Sequence, residues 1–231
     1  MKKIKILIMK KITTISMGLI FSIILLGCAS ANKSQRGAVI GTAGGAVVGG
    51  AIGSMSGHVG LGAIIGAAVG GVTGAVIGHS MDKQAEEIKN SLPDAKVIRV
   101  GEGIVVEFSD KVLFTIGDYN LSNNSKTSLD KLNNVITKYP DTNIEIQGHT
   151  DNTGSKSSNQ TLSEQRSSSV KNYLIYSGIV SSRLTTKGFG EAEPKYDNST
   201  AEGRMLNRNV QFLITANETM KAAAKKEAGS N

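Results

Sequence analysis

Two oppositely charged side chains, Asp151 and Arg166, mark the part of this sequence best suited to binding a charged ligand. Asp151 lies in a polar loop after an alternating apolar segment, which is typical of a strand end. Arg166 interrupts an apolar stripe of helical spacing, formed by Leu162, Val170, Tyr173 and Leu174. A cation on a buried helix face needs an anion. Asp151 is the nearest candidate, because strand, loop and helix of this kind bring the loop over the first helical turns.

These two residue types can hold the two charges of an amino-acid group. A carboxylate at Asp151 accepts hydrogen bonds from an ammonium, and the planar fork of Arg166 matches a carboxylate. Backbone N–H groups in the loop 152–154 could hold a second carboxylate oxygen. The alternative is an internal salt bridge between Asp151 and Arg166 that ties the loop to the helix. The residues alone leave these two interpretations evenly balanced.

The same loop gives little support for catalysis. His149 is the one histidine of this region, with no second metal ligand at the usual spacing and no nucleophile elbow around any serine. The segment 188–190 lacks the third glycine and the following helix of a dinucleotide loop. His149 therefore fits a hydrogen-bonded strand-end histidine better than a general base. We expect no enzyme, no metal and no cofactor.

The elements around the loop alternate between strand and helix patterns. Apolar alternation predicts strands at 97–108 (one or two, split by glycines), 143–147, 184–189 and 208–214, and a short extended piece at 111–115. Helical spacing predicts helices at 125–139 and 161–177, the second ending at Gly178. Residues 190–203 read as a loop. The order predicts an α/β domain over residues 95–216, an α+β sandwich with helices on one face of a mixed sheet.

The N-terminus resembles a bacterial lipoprotein signal. The chain has a formal charge of +7, but residues 1–27 contain five lysines and no acid, so the remainder carries only +2 and no nucleic-acid partner is expected. An apolar stretch leads to Leu25, Leu26, Gly27 and Cys28, which resemble a lipobox whose cysteine is acylated. The alternative is an incidental cysteine in a plain signal peptide or membrane anchor. We expect a signal peptide at 1–27 and a lipidated tether at 28–36.

A glycine-rich segment, residues 37–81, follows the tether. Its glycines recur at every fourth position in two runs, and Asp82 is the first charged residue after Arg36. This period predicts two helices with a small-residue face, forming a hairpin in a membrane or in a self-associated assembly. A flexible spacer, or a hairpin packed on other protein, is the alternative. Residues 82–94 are expected to be a charged helical linker, and 217–231 a flexible tail.

The candidate loop and its surroundings resemble the OmpA-like C-terminal domain, a peptidoglycan-binding module of envelope proteins. The resemblance covers roughly residues 104–214. With the lipobox and the glycine-rich segment, the whole chain is similar to the YiaD-type outer-membrane lipoproteins. The matching positions are GHTDNTGS from Gly148, then Asn159, Leu162-Ser163, Arg166, Val170, Tyr173-Leu174, Gly178, Arg183, Gly188-Phe189-Gly190-Glu191, Pro194, Asn198, Gly203-Arg204 and Asn207-Arg208.

The resemblance implies roles for individual residues. Asp151 and Arg166 would grip the meso-diaminopimelate residue of a peptidoglycan stem peptide. The surrounding pocket wall would comprise Phe114, Gly148, Thr150, Asn152, Asn159 and Leu162, and a supporting patch nearby would comprise Arg204 and Asn207. Two departures concern the pocket rim: Asn209 replaces a second arginine, and residues 116–117 replace an acidic turn.

Together these features predict a non-enzymatic lipoprotein of the outer membrane, with its domain facing the periplasm, that links the membrane to peptidoglycan. Ala29 after Cys28 implies sorting to the outer membrane in such families. One alternative is a stator-like inner-membrane protein. Others are an oligomer or pore formed through the glycine-rich segment, and a peptidoglycan hydrolase or its activator.

Overall fold

The computed structural model describes residues 72–115 and 117–229. The predicted signal peptide, Cys28, the tether and most of the glycine-rich segment lie outside the described residues, as does Ile116. None of the helices within the described ranges is both long and apolar enough to cross a membrane.

Eleven helices and strands and one 3-10 turn make up the part of the chain that the structure describes. The helices are α1 (Val72–Ser91), α2 (Asp110–Leu113), α3 (Asn123–Lys138), α4 (Lys156–Tyr176), α5 (Ala201–Asn207) and α6 (Glu218–Gly229). The strands are β1 (Lys96–Val100), β2 (Gly103–Ser109), β3 (Thr142–His149), β4 (Leu184–Gly190) and β5 (Asn209–Ala216), and the 3-10 turn is Ser181–Arg183.

The five strands form one mixed sheet in the order β1-β2-β5-β3-β4. Strands β3 and β4 are parallel and joined through α4, whereas the other three neighbouring pairs are antiparallel. The last strand, β5, therefore lies in the centre of the sheet, between β2 and β3. This arrangement confirms the predicted α/β class and mixed sheet.

The main core lies between the helices and one face of the sheet. Alternate residues of the central strands point into it, as the two-residue period of a strand requires. Phe108 on β2 and Phe212 on β5 meet edge to face at 5.6 Å between ring centroids. A smaller apolar cluster, Val100, Val105 and Leu213, occupies the opposite face.

The first described helix belongs to this domain and is not a linker. The sequence predicted a charged helical linker at 82–94, but Ile77, Met81 and Ile88 on α1 are fully buried in the main core. Arg99 on β1 fixes the helix further, since it donates to Asp82 at 2.7 Å and to a backbone carbonyl of α1. The apolar spacing of α1 was obscured by the charged residues on its outer face. The folded unit therefore begins at least 20 residues before the predicted boundary, within the span assigned to the glycine-rich segment.

The C-terminal segment is helical over most of its length. Residues 217–231 were expected to form a flexible tail, but α6 covers Glu218–Gly229 and packs beside α1. Ala224 is 2% exposed. Small side chains allow this close helix contact without a conspicuous apolar stripe, so the sequence pattern gave little signal of it.

Three local predictions were wrong in detail. The piece 111–115 is a helical turn, α2, and only Phe114 makes a β-bridge, to Leu121. Helix α4 begins five residues earlier than predicted, because Ser155 caps it by accepting from the N–H of Ser158 at 3.1 Å. The expected loop 190–203 runs into a short helix, α5, which Thr200 caps.

Candidate functional site

The sheet topology brings four charged residues together where β5 begins. Ser109, the last residue of β2, is opposite Asn209, and Gly148 near the end of β3 is opposite Val210. Asp110, just after β2, and Asp151, just after β3, therefore flank Arg208, which directly precedes β5. Helix α4 places Arg166 beside them.

Asp110, Asp151, Arg166 and Arg208 form a chain of alternating charges, which we call the four-charge cluster. Arg208 Nη1 donates to Asp151 Oδ2 at 2.5 Å, and Arg208 Nε donates to Asp110 Oδ2 at 3.1 Å. The same Asp110 oxygen lies 3.6 Å from Arg166 Nη1. The order is thus Asp151, Arg208, Asp110, Arg166, with no ion pair joining Asp151 directly to Arg166 among the described residues.

Two further groups hold the guanidinium of Arg166. Its Nε donates to the backbone carbonyl of Asp118 at 2.9 Å, and its Cζ lies 5.1 Å from the ring centroid of Phe114. An arginine over an aromatic face gains a cation–π attraction, which is stronger where water is excluded. Phe114 therefore packs against the guanidinium of Arg166.

The four side chains differ greatly in their access to solvent. The side chains of Arg166, Asp110 and Asp151 are 2%, 4% and 7% exposed, whereas Arg208 is 25% exposed. Burial lowers the pKa of Arg166, and the nearby carboxylate of Asp110 only partly opposes this effect. For Arg208 the balance is reversed, since Asp151 and Asp110 outweigh burial and raise its pKa.

The carboxylate of Asp151 is fixed through both of its oxygens. Oδ2 accepts from Arg208, and Oδ1 accepts from the backbone N–H of Thr153 at 2.8 Å, which closes a tight turn. Burial raises the pKa of Asp151, but these two donors lower it by more, so the pKa lies below its ordinary value. The carboxylate is therefore charged and oriented.

Close packing of α4 on the sheet sets the distance between the two ends of the cluster. Gly148 and Gly188 lie side by side on β3 and β4, directly below Ser163. A Cβ at Gly148 would overlap the backbone carbonyl of Ser163, and one at Gly188 would come within 2.7 Å of the backbone nitrogen of Glu164. The absence of a side chain at Gly148 thus determines how closely α4 packs on β3.

The other predicted site residues divide into buried and exposed groups. Thr150 and Asn159 are buried, and both donate to the carbonyl oxygen of Asp151, at 2.9 and 3.2 Å. Asn159 also donates to Glu191 at 2.6 Å. Asn152 is exposed, and its backbone N–H has no partner in the described loop, so this donor remains available to a ligand.

The three remaining predicted residues lie close in sequence to the cluster. Leu162 is half-buried on α4, one turn before Arg166. Arg204 donates to the carbonyls of Asn198 and Ser199, and Asn207 holds the same loop through the backbone of Lys195 and Tyr196. These contacts hold the segment that leads from β4 to Arg208.

His149 lies next to this site but on the other side of β3. Its ring stacks on Phe189 with 5.0 Å between centroids and an interplanar angle of 2°. It is 4% exposed. Within residues 72–115 and 117–229, no group of three or more potential metal-ligating side chains occurs.

The sequence interpretation missed Asp110 and Arg208. Arg208 was part of the family resemblance but received no role, and Asp110 was not considered, although it directly follows the apolar strand β2. The buried cation on α4 was correctly expected to require an anion. That anion is Asp110, 56 residues earlier in the chain, and Asp151 pairs instead with Arg208.

Two family models match the sequence. The OmpA family matches residues 113–208, which include most of the four-charge cluster. The YMGG-like Gly-zipper matches residues 9–82 and so covers the glycine-rich segment.

Three curated relatives extend this picture. Probable lipoprotein YiaD of Escherichia coli strain K12 is 36% identical over 187 residues, which are 80% of this chain and 85% of YiaD. Outer membrane porin F of Pseudomonas fluorescens is 36% identical over 54% of this chain, and peptidoglycan-binding protein ArfA of Mycobacterium tuberculosis is 41% identical over 36%. This chain spans only 36% and 26% of these last two proteins.

Among solved structures, a MotB-like protein from Desulfovibrio vulgaris has a similar fold. The match has a TM-score of 0.57 and 24% identity, and covers 61% of this chain and 93% of that one. It supports the architecture described above.

Proposed function

Because this chain belongs to the family of YiaD and carries its OmpA-like domain, we propose that it is a lipid-anchored outer-membrane protein that binds peptidoglycan. The binding is noncovalent and reversible, and its target is the side chain of meso-diaminopimelate in the stem peptide. The protein thereby links the outer membrane to the cell wall.

The observation that carries this proposal is the four-charge cluster. It contains two carboxylates and two guanidinium groups, and Asp151 and Arg166 stand at the two ends of this chain of contacts. The side chain of diaminopimelate ends in an ammonium and a carboxylate on one carbon. Asp151 takes the ammonium, and Arg166 with the free backbone N–H of Asn152 takes the carboxylate. The name of the relative ArfA, a peptidoglycan-binding protein, supports the same ligand class.

The membrane side of the link depends on Cys28, the single cysteine of the chain. Its lipobox-like context and the similarity to a probable lipoprotein support acylation at this residue. Similarity to outer membrane porin F supports the outer membrane as the location. The glycine-rich segment between the anchor and the domain supplies a surface for self-association.

Cosedimentation with purified sacculi tests the peptidoglycan assignment. Wild-type protein should pellet with sacculi, and Asp151→Asn and Arg166→Gln should remain in the supernatant while retaining a cooperative unfolding transition. Asp82→Asn and Arg99→Gln are matched controls, because this ion pair lies on α1 and β1 and contributes to fold but not to the site. Unchanged pelleting of a folded Asp151→Asn protein would refute the assignment.

Metabolic labelling tests the anchor. Wild-type protein should incorporate radioactive palmitate, and Cys28→Ser should not. A stator-like protein held by membrane helices needs no acyl chain, so an unlabelled wild-type protein in the inner-membrane fraction would favour that alternative.

The binding is proposed to involve no catalytic step. Aspartate carboxylates can serve as nucleophiles or general acids, but both carboxylates of the four-charge cluster are held in ion pairs with arginine, which supports binding rather than catalysis. Purified protein incubated with sacculi should therefore release no soluble muropeptides. Release that depends on Asp151 would instead indicate a hydrolase.

A further inference from the structure

Arg208 is the most accessible member of the four-charge cluster and the one residue that contacts both carboxylates. Two of its nitrogens, Nη1 and Nε, bond to Asp151 and Asp110. Without Arg208, Asp110 would keep only the 3.6 Å contact to Arg166, and Asp151 would keep only the donors of Thr153. Arg208 therefore balances the negative charges of both Asp110 and Asp151.

The net charge of the cluster follows from its members. Arg166 and Arg208 contribute two positive charges, and Asp110 and Asp151 contribute two negative charges. The raised pKa of Arg208 and the lowered pKa of Asp151 both favour the charged forms. Because three of these side chains are at most 7% exposed, solvent screens an imbalance poorly.

We propose that Arg208 is a specificity-determining residue that keeps the cluster neutral, so that it selects a ligand end with equal positive and negative charge. For diaminopimelate, such an end carries a free carboxylate beside its ammonium. An amidated end, in which a carboxamide replaces the carboxylate, has a net charge of +1 and is disfavoured. This inference rests on the proposed function and specifies which chemical form of the ligand is bound.

The two other nearby arginines, Arg204 and Arg166, do not balance the charges of both carboxylates. Arg204 points to the carbonyls of Asn198 and Ser199, and its guanidinium contacts no carboxylate of the cluster. Arg166 is fixed by the carbonyl of Asp118 and by Phe114, so it remains a local donor whatever the net charge is. The selection between neutral and cationic ligands is therefore assigned to Arg208.

Calorimetric binding to two stem tetrapeptides tests this inference. One peptide has a free carboxylate on the diaminopimelate side chain, and the other has a carboxamide there. The full-length wild-type protein should bind the free acid more tightly, on the order of tenfold. Arg208→Gln leaves the cluster at −1, so its preference should vanish or favour the amide. Arg208→Lys should retain the wild-type preference.

The double variant Asp110→Asn/Arg208→Gln separates charge balance from simple damage. It removes one charge of each sign, so neutrality returns and the preference for the free acid should recover. It also removes the buried charge of Asp110, which in Arg208→Gln would keep only its 3.6 Å contact to Arg166 and could prevent that variant from folding. Arg99→Gln is the matched control, since its arginine is also 25% exposed and paired with an aspartate.

Two results would overturn the inference. One is an Arg208→Gln protein, or a double variant, that binds both peptides more weakly in the wild-type ratio, because Arg208 would then have only a structural role. The other is a wild-type protein that binds both peptides equally. A wild-type protein that binds neither peptide would refute the proposed function as well, so the two failures are distinguishable.

Discussion

Replacing Gly148 by alanine should push α4 slightly away from the sheet, and so lower both the free energy of unfolding and the affinity for sacculi. The added Cβ would lie 2.9 Å from the carbonyl carbon of Ser163 and would overlap its oxygen. Ordinary contact begins at 3.4 Å, and the carbonyl oxygen lies closer to the added Cβ than the carbon does, so the backbone of α4 must retreat by roughly an ångström. A helix backbone cannot avoid this contact by changing a rotamer.

The displacement acts directly on the four-charge cluster. Arg166 lies one turn beyond Ser163, and its 3.6 Å contact to Asp110 is already long for an ion pair. Overpacking of this kind costs about 1–3 kcal/mol. For a domain of this size, the melting temperature should fall by about 3–10 °C. Binding to sacculi should weaken in the protein that remains folded.

Thermal unfolding followed by circular dichroism measures the effect, with Gly78→Ala as the matched control. A Cβ at Gly78 would lie 3.9 Å from Arg99 Nη2, an ordinary contact, within helix α1. Because alanine is favoured over glycine inside a helix, this variant should be more stable by about 0.5–1 kcal/mol. The two glycine-to-alanine changes therefore have opposite expected signs. A Gly148→Ala protein that matches the wild type in both melting temperature and sacculus binding would refute the packing argument.

Three further predictions follow from described contacts. Burial raises the pKa of Asp151, but hydrogen bonds from Thr153 and Arg208 lower it by more, so its folded-state pKa lies below the unfolded-state value of about 3.9. The carboxylate therefore stabilises the fold above about pH 3.9, and this stability is lost as the pH falls through the folded-state pKa. Urea unfolding at acidic pH should show this loss in the wild type and not in Asp151→Asn. Deleting residues 72–91 should abolish cooperative unfolding, because it removes several fully buried core side chains, and an unchanged melting curve would contradict the assignment of α1 to the domain. Burial and the hydrogen bond to Glu87 raise the pKa of Tyr139 to about 12, so stability should decline from about pH 10 upward through that value, and an ultraviolet titration should lose a late-ionising tyrosine in Tyr139→Phe.

The position of α1 also bears on how the proposed link would work. The C-terminal part of the glycine-rich segment belongs to α1, which packs into the domain core and accepts a hydrogen bond from Arg99. No flexible linker separates the described part of that helix from the domain. The orientation of α1 relative to the four-charge cluster is therefore set by core packing.

Much of the domain's local structure could be predicted from sequence. The order of the five sheet strands and of helices α3 and α4 was correct, Gly178 has the positive φ of 100° expected after a helix end, and the apolar residues of α3 are buried. The helical spacing around Arg166 correctly indicated a buried cation. These features depend on neighbours within a few turns of the chain, where periodicity and capping residues are directly visible.

Only the tertiary structure decided which charges meet. Asp110 and Arg208 are 98 residues apart, and the backbone N–H of Asp110 donates to the carbonyl of Arg208 at 3.0 Å because β2 and β5 pair in one particular register. The local sequence pattern of β2 does not show which distant strand pairs with it. The sequence thus determined that a cation near residue 166 required an anion, and the insertion of the last strand between β2 and β3 determined that Asp110 and Arg208 complete the cluster.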